Sequence, residues 1–375
     1  MATTTHTQGQ HLSFDAAWDE IASSLNSNPG HDLALLTDRA HAWYQSEEPI
    51  RTDMMNACWN QMLLILTAMS DGRAESSQYD VQAFFSDDYE IMSKSFEDME
   101  RSIQANDTKE IKKRTERFIT QIEELTGKGL FIDNDRFAYR SFMTPLEGIV
   151  WRAHSQDKRE LIPCPFPFDM VYFYHALASH SLGLYEDAKK DLYKAIHWNP
   201  ANANLWFELG ENYKEIGQMD EFGQCVYSAY PYIMNSQGLA RYHRDCGYYL
   251  IEDSDLRMAA AHLHVAIAID KDAASQAWVE LGYILEHYGE NYMTMTSKEA
   301  VDTLMERSEP ILGDTTSITA VVNLMNQALS LGDYRTALMA SSCAYELTND
   351  DKMRNLSMAI MLAMNNGGQI VVSEN

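Results

Sequence analysis

Twelve histidines and five cysteines are the residues of this 375-residue chain that could bind a metal or attack a substrate. The closest histidine pairs are His175 with His180, and His262 with His264. Neither pair has the i, i+4 spacing that puts two imidazoles on one helical face beside a glutamate, as a helical zinc site requires. Partly exposed or core positions explain these histidines better, and we predict no metal site.

Cys246 is the best candidate nucleophile, because Asp245 precedes it and His243 lies close in sequence. Its position in the apolar period is that of a core side chain, however, so burial should keep the thiol protonated and inert. The chain also contains no phosphate-binding glycine loop, dinucleotide-binding turn or nucleophile elbow. We therefore predict no catalytic residue, no cofactor and no enzymatic activity.

The elements that would position these residues repeat along the chain. Between Asp169 and Pro200, small and large residues have the spacing of an antiparallel helix pair: Gly183, Tyr185, Ala188, Leu192, Ala195 and Pro200. A second copy opens with Trp206, Leu209, Gly210, Tyr213 and Gly217. Gly217 follows Gly183 by 34 residues. A fixed interval of this size is the signature of a helical repeat.

This pattern resembles the tetratricopeptide repeat (TPR) family, whose period is 34 residues. The resemblance implies an all-α fold, a right-handed superhelix of antiparallel helix pairs, here preceded by an N-terminal helical region. It also implies a non-catalytic scaffold, since stacked repeats form extended binding surfaces. Small residues such as Gly210 and Ala188 are expected where two helices cross closely.

Later copies follow the pattern less strictly. The third has Gly247 at the crossing but is shifted by an insertion around Pro231. The fourth begins with Gly282 at its crossing and becomes degenerate after Glu290. In the fifth, Met325 stands where a crossing glycine is expected. We therefore predict about five repeats.

Proline and apolar spacing define the predicted domain organisation. Three prolines between 163 and 167 should exclude a helix and form an extended connector. Helical spacing ahead of it predicts helices near Phe14, Leu33 and Met55, and a hairpin over 85–125. The predicted segments are a flexible tail over 1–12, an N-terminal helical region over 13–162, the connector over 163–168, the repeats over 169–349, a capping helix over 350–366 and a tail over 367–375.

Charge and apolar content limit the partners. A formal net charge of −26 repels nucleic acid and anionic lipid, so neither is an expected partner. The longest apolar run, over 62–69, is too short to span a bilayer, and the first residues do not form a secretory signal. Scattered cysteines without a close pair are typical of a reducing compartment, so we expect a cytoplasmic protein.

The resemblance also implies a binding groove lined by the first helix of each pair. By position, the candidate groove residues are Asn204, Phe207, Lys214, Arg241, Arg244 and Tyr248. Two interpretations of the three cations are open. They could anchor an acidic peptide, or Glu211, Glu215 and Glu252 could neutralise them within the protein. The carboxylate clamp of chaperone-binding family members is not expected, because Phe173 and Leu177 stand at its positions.

Two functions fit these features. The first is an adaptor whose groove holds a peptide or helix of a partner protein. The second is a regulator whose N-terminal helical bundle acts on a target while the groove senses a peptide or ligand. A basic run over 109–117 is either the solvated face of a helix or a docking surface for an acidic partner.

Overall fold

The computed structural model describes residues 89–127, 129–135, 137–271 and 274–365, with a few isolated positions between 24 and 35. The helices predicted near Phe14, Leu33 and Met55, and the tails predicted over 1–12 and 367–375, lie outside the described residues. Internal contacts divide the chain into two compact units. The first unit comprises residues 1–141 and 158–178, and the second comprises residues 142–157 and 179–375.

The first unit contains the predicted hairpin of two helices. Helix α1 spans Tyr89–Gln104 and helix α2 spans Thr108–Gly127. Asp107 caps α2, since its carboxylate accepts a hydrogen bond from the Glu110 amide at 3.1 Å. Phe96, Phe118 and Phe166 form the aromatic core of this unit, with ring centroids 5.9–6.3 Å apart.

A pair of parallel strands completes the first unit. Strands β1 (Phe137–Arg140) and β2 (Glu160–Pro163) lie within the region predicted to be helical, so this local structure was not predicted. The chain is extended at Pro163 and continues the pairing where the Cys164 amide donates to the Arg140 carbonyl at 2.8 Å.

The predicted all-α fold of successive helix pairs is confirmed. The remaining helices are α3 (Pro145–His154), α4 (Phe168–Ser181), α5 (Tyr185–Trp198), α6 (Ala203–Glu215), α7 (Met219–Ala229), α8 (Ser236–Glu252), α9 (Leu256–Ile269), α10 (Ala274–Tyr288), α11 (Ser297–Glu306), α12 (Thr315–Leu331), α13 (Tyr334–Thr348) and α14 (Asp351–Asn365). A 3₁₀ turn over Tyr230–Tyr232 follows α7, at the insertion predicted around Pro231. Helix α14 corresponds to the predicted capping helix.

Residues with strong local preferences set the helix ends. Helix α5 ends at Trp198, just before Asn199–Pro200, because the residue before a proline is disfavoured in the α conformation. Thr144 and Glu147 form a capping box at the start of α3, with Pro145 as the first helical residue. Gly332 ends α12 in the left-handed conformation, with φ of 73°. Each of these helix ends is set by residues next to it in the sequence.

The predicted close crossings hold the pairs of the second unit together. Ala188 and Gly210 are buried, as expected. At Gly247, an added Cβ would lie 2.7 Å from the Leu263 Cγ and 3.2 Å from the Ala259 carbonyl oxygen, so α8 and α9 leave no space for a side chain. At Gly282 an added Cβ would meet no atom within 4 Å. The fourth pair therefore lacks the tight crossing, in keeping with its degenerate sequence.

The last helix pair also contacts elements far away in sequence. Helix α12 packs against α3 and the 3₁₀ turn, and α13 packs against α8. The Tyr230 hydroxyl donates to the Leu312 carbonyl at 3.0 Å, and the Ser317 hydroxyl donates to the Pro231 carbonyl at 2.6 Å. Simple repeat arrays have contacts between neighbouring repeats only, so these ties are an addition to the repeat pattern.

The two glycines give opposite predictions for the same substitution. Gly247→Ala should destabilise the second unit by about 1–3 kcal/mol, because overpacking against Leu263 exceeds the gain in helix propensity. Gly282→Ala should instead stabilise it by up to about 1 kcal/mol, because the methyl group meets open space. Denaturant unfolding of both variants measures the difference. Equal effects of the two substitutions would contradict the close crossing.

Candidate functional site

One cleft of the second unit is lined by the first helices of three consecutive pairs. Helices α6, α8 and α10 enclose about 460 Å³ between them. The lining residues are Glu211, Lys214, Arg244, Asp245, Tyr248, Gln276, Val279 and Glu280. This is the kind of groove that the sequence resemblance implies, and Lys214, Arg244 and Tyr248 are three of its predicted residues.

Lys214 is held by an acidic and an aromatic neighbour. Its Nζ lies 2.8 Å from the Glu211 carboxylate and 4.5 Å from the centre of the Tyr248 ring. Burial lowers the pKa of Lys214, but the hydrogen bond and charge of Glu211 outweigh it and the pKa is raised. The ammonium group therefore stays charged and already has a partner within the protein.

Arg241 links α8 to α6. Its guanidinium lies 2.8 Å from the Glu208 carboxylate and 4.9 Å from the centre of the Phe207 ring. Phe207 was a candidate groove residue, but it is only 1% exposed and cannot offer a ring surface to a partner. It instead supports Arg241 through a cation–π contact.

Asp245 is the most deeply buried carboxylate of the cleft. It is 5% exposed and lies 3.4 Å from Arg241 Nε and 3.6 Å from Arg244 Nε. Both distances exceed the 2.7–2.9 Å of a strong charge-assisted hydrogen bond. Burial raises the pKa of Asp245 to about 6, although the two guanidinium groups act in the opposite direction. Its Oδ2 accepts no hydrogen bond from any described residue.

The other positions carried over from the resemblance lie apart from the cleft or at its margin. Asn204 is exposed in the first turn of α6. Ile251, near the end of α8, is 2% exposed and belongs to the core between α8, α9 and α10. Glu215 and Glu252 are exposed and form no ion pair with a described residue, so they do not neutralise the cations as one interpretation expected.

Sequence reasoning missed three acidic groups of the site. Asp245 follows Arg241 by one helical turn, and this i, i+4 spacing was a usable signal. Glu208 lies on α6 and pairs with Arg241 on α8, and a contact between two helices cannot be recognised from the spacing within one helix. Glu280 belongs to the fourth pair, whose weak pattern hid its contribution to the cleft.

The histidines do not converge on a metal site in the described part of the chain. No group of three histidine, cysteine, aspartate or glutamate side chains there has a suitable arrangement. His175 lies beside Lys112, His180 beside Asn212, and His264 contacts the Tyr292 carbonyl. Histidines that are close in sequence therefore make separate polar contacts.

His243 and His262 form an internal hydrogen-bonded pair. His243 Nε2 is 3.2 Å from the Ile311 carbonyl oxygen, which can only accept, so this nitrogen carries the proton. His243 Nδ1 then accepts from His262 Nδ1 at 2.9 Å. Burial lowers the pKa of His243 to about 3, with the charge of His262 as a smaller cause, and burial lowers the pKa of His262 to about 4. Both rings are therefore neutral near pH 7.

A histidine, an aspartate and a serine also meet, but not in a catalytic order. His154 Nε2 lies 2.8 Å from the Ser317 hydroxyl and 3.1 Å from the Asp314 carboxylate, so one nitrogen serves both. A nucleophilic serine must give its proton to the histidine while the second ring nitrogen faces the acid. Ser317 gives its proton to Pro231 instead. The cluster is therefore a structural tie between α3, α12 and the 3₁₀ turn.

Cys246 is buried as predicted. It is 1% exposed, and burial raises the pKa of its thiol well above the usual value. The thiolate form that attacks a substrate is thus strongly disfavoured.

No protein-family model matches this chain. No curated protein matches it either. Among solved structures, it is similar to the TPR domain of P58(IPK), with 9% identity over 95% of this chain and 99% of that one, and a TM-score of 0.27. A superposition this poor carries no argument about function. Within the described residues, no helix is long and apolar enough to cross a membrane.

The buried histidine pair predicts a loss of stability in acid. The unfolded histidines titrate near the ordinary pKa of 6.5, whereas the folded pair titrates at about 3 and about 4. Between pH 6.5 and 4 the unfolded state binds more protons, so the free energy of unfolding should fall by up to about 1.4 kcal/mol per pH unit for each histidine. Asp245, whose pKa is raised, acts in the opposite direction.

The double variant His243→Phe, His262→Leu separates the histidines from the other titrating groups. Unfolding of the variant, measured across the same pH range, should lack this part of the acid slope whatever its absolute stability. An unchanged slope would show that the pair is not the source.

Proposed function

We propose that this chain is a non-catalytic interaction scaffold of the TPR type, which binds a peptide or helix of a partner protein in the cleft between α6, α8 and α10. The observation that supports this most directly is that three consecutive first helices contribute polar and apolar side chains to one open cleft. A groove of this kind suits a linear element, because each repeat presents the same face at a regular interval.

Helix α10 gives the cleft an exposed apolar side chain. Val279 lines the cleft and is 69% exposed. Exposed side chains of this kind, next to charged residues, are typical of the centre of a protein interface. The cleft therefore offers both an apolar contact and charged groups that can fix the orientation of a partner.

We also propose that the scaffold works in a reducing compartment such as the cytoplasm. Cys164, Cys225, Cys246 and Cys343 are free and buried. Free, buried thiols of this kind are common where disulfides do not form.

Capture of partners by the full-length protein, followed by affinity measurement, tests the cleft. Val279→Gln should weaken partner binding about tenfold, because it replaces an apolar contact without changing charge. Leu285→Gln is the matched control, since Leu285 is an exposed apolar residue of the same helix but does not line the cleft. Equal affinity of the two variants for every captured partner would refute the cleft as the binding site.

The regulator with an active N-terminal bundle is a second candidate. One observation favours it: the first unit is compact and has its own aromatic core. On α2, Lys113 and Arg114 pair with Glu110, whereas Lys109 and Arg117 are exposed and form no ion pair with a described residue. These two side chains could therefore meet an acidic target.

The double variant Lys109→Glu, Arg117→Glu in the full chain distinguishes the two candidates. If the first unit acts on a target, this variant should lose at least one captured protein that Val279→Gln retains. Both positions are exposed, so the helical circular-dichroism signal should not change. Retention of all partners by the double variant would remove the support for the regulator.

A further inference from the structure

We propose that the cleft between α6, α8 and α10 selects a basic segment, and that it binds a lysine or arginine side chain of the partner next to Glu252 and Glu280. This inference rests on the proposed scaffold function and specifies the chemistry of its ligand. It replaces the acidic peptide that the three cations suggested in the sequence analysis.

The charge balance of the cleft is the first argument. Its cations are already paired, Lys214 with Glu211, Arg241 with Glu208, and Arg244 with Asp245. Glu280 lines the cleft, and Glu252 is close enough to affect its titration, but neither forms an ion pair with a described residue. An acidic ligand would have to displace an internal carboxylate, whereas a basic ligand meets unpaired ones.

Asp245 provides a second, independent argument. Its side chain lines the cleft and is more than nine-tenths buried, yet its Oδ2 accepts no hydrogen bond from any described residue. A buried carboxylate oxygen without a donor is costly. A cationic donor entering the cleft would offer the kind of charge-assisted hydrogen bond that the two arginines, at 3.4 and 3.6 Å, do not complete.

Glu280 is suited to hold such a cation. It is half-buried, and its pKa is raised mainly by burial; Lys214 and Arg244 lower this pKa, and Glu252 raises it. A further positive charge beside Glu280 would oppose the effects of burial and of Glu252. Val279 and Tyr248 line the same cleft and can pack against the aliphatic stem of a lysine or arginine. The cleft thus provides for both the charged end and the apolar stem of a basic side chain.

The test uses the full chain and two synthetic peptides. One peptide consists of repeated Ala-Leu-Lys-Ala-Ala units, and the other has glutamate at each lysine position; both carry a fluorescent label for anisotropy titration at near-physiological salt. The Glu252→Gln, Glu280→Gln variant should bind the lysine peptide about five- to tenfold more weakly than the wild type. The glutamate peptide should not bind either protein.

A matched control removes the same charge elsewhere. Glu116→Gln, Glu286→Gln neutralises two exposed carboxylates that do not line the cleft, so it should bind the lysine peptide like the wild type. Equal weakening by both double variants would show attraction to the net charge of −26 and overturn the inference. Binding of the glutamate peptide, or of neither peptide, would also overturn it. Capture of a partner sensitive to Val279→Gln would in those cases leave the scaffold function standing.

Discussion

The close crossing of helices at small residues is the constraint on which the second unit depends. At Gly247 the backbone of α8 comes so near Leu263 of α9 that a single methyl group has no room. Close packing of this kind fixes the rotation of α8 about its axis, because only one face can approach its neighbour. That rotation in turn decides which side chains of α8 reach the cleft.

The polar stripe of α8 follows directly from this fixed rotation. Arg244 and Asp245 lie three and four residues after Arg241, and Tyr248 follows one more turn on, so the four residues share a helical face. Glu208 of α6 pairs with Arg241, whereas Glu211 pairs with Lys214 on α6 itself. Cations and carboxylates of both helices therefore lie together between neighbouring pairs. Such buried and half-buried pairs contribute orientation more than stability, because desolvation offsets their attraction.

The sequence predicts those parts of the fold that depend on local signals. The small residues expected at Ala188 and Gly210 are buried, and the caps at Asp107 and Thr144 and the helix end before Pro200 also depend on residues within one or two helical turns. The strands β1 and β2 were missed, because each has only four residues and is stabilised by a partner about 20 residues away.

The site was predictable in outline but not in its charge balance. Position within the repeat indicated Lys214, Arg244 and Tyr248, all of which line the cleft. It could not show that Phe207 is buried, nor that Glu208 reaches Arg241, because both depend on how neighbouring helices are rotated. Which cations have an internal partner is a property of three-dimensional packing, and our proposal of a basic ligand depends on this property.

The ties between α3, the 3₁₀ turn and α12 matter during synthesis. A ribosome makes His154 and Tyr230 well before it makes their partners at Leu312, Asp314 and Ser317. While the chain is still growing, the middle helix pairs can form from local contacts, but the Tyr230 hydroxyl, the Pro231 carbonyl and His154 Nε2 still lack the polar partners that they have in the complete fold. The second unit can therefore complete its packing only when translation has passed α12, so its last third acts as a closing segment for residues made long before.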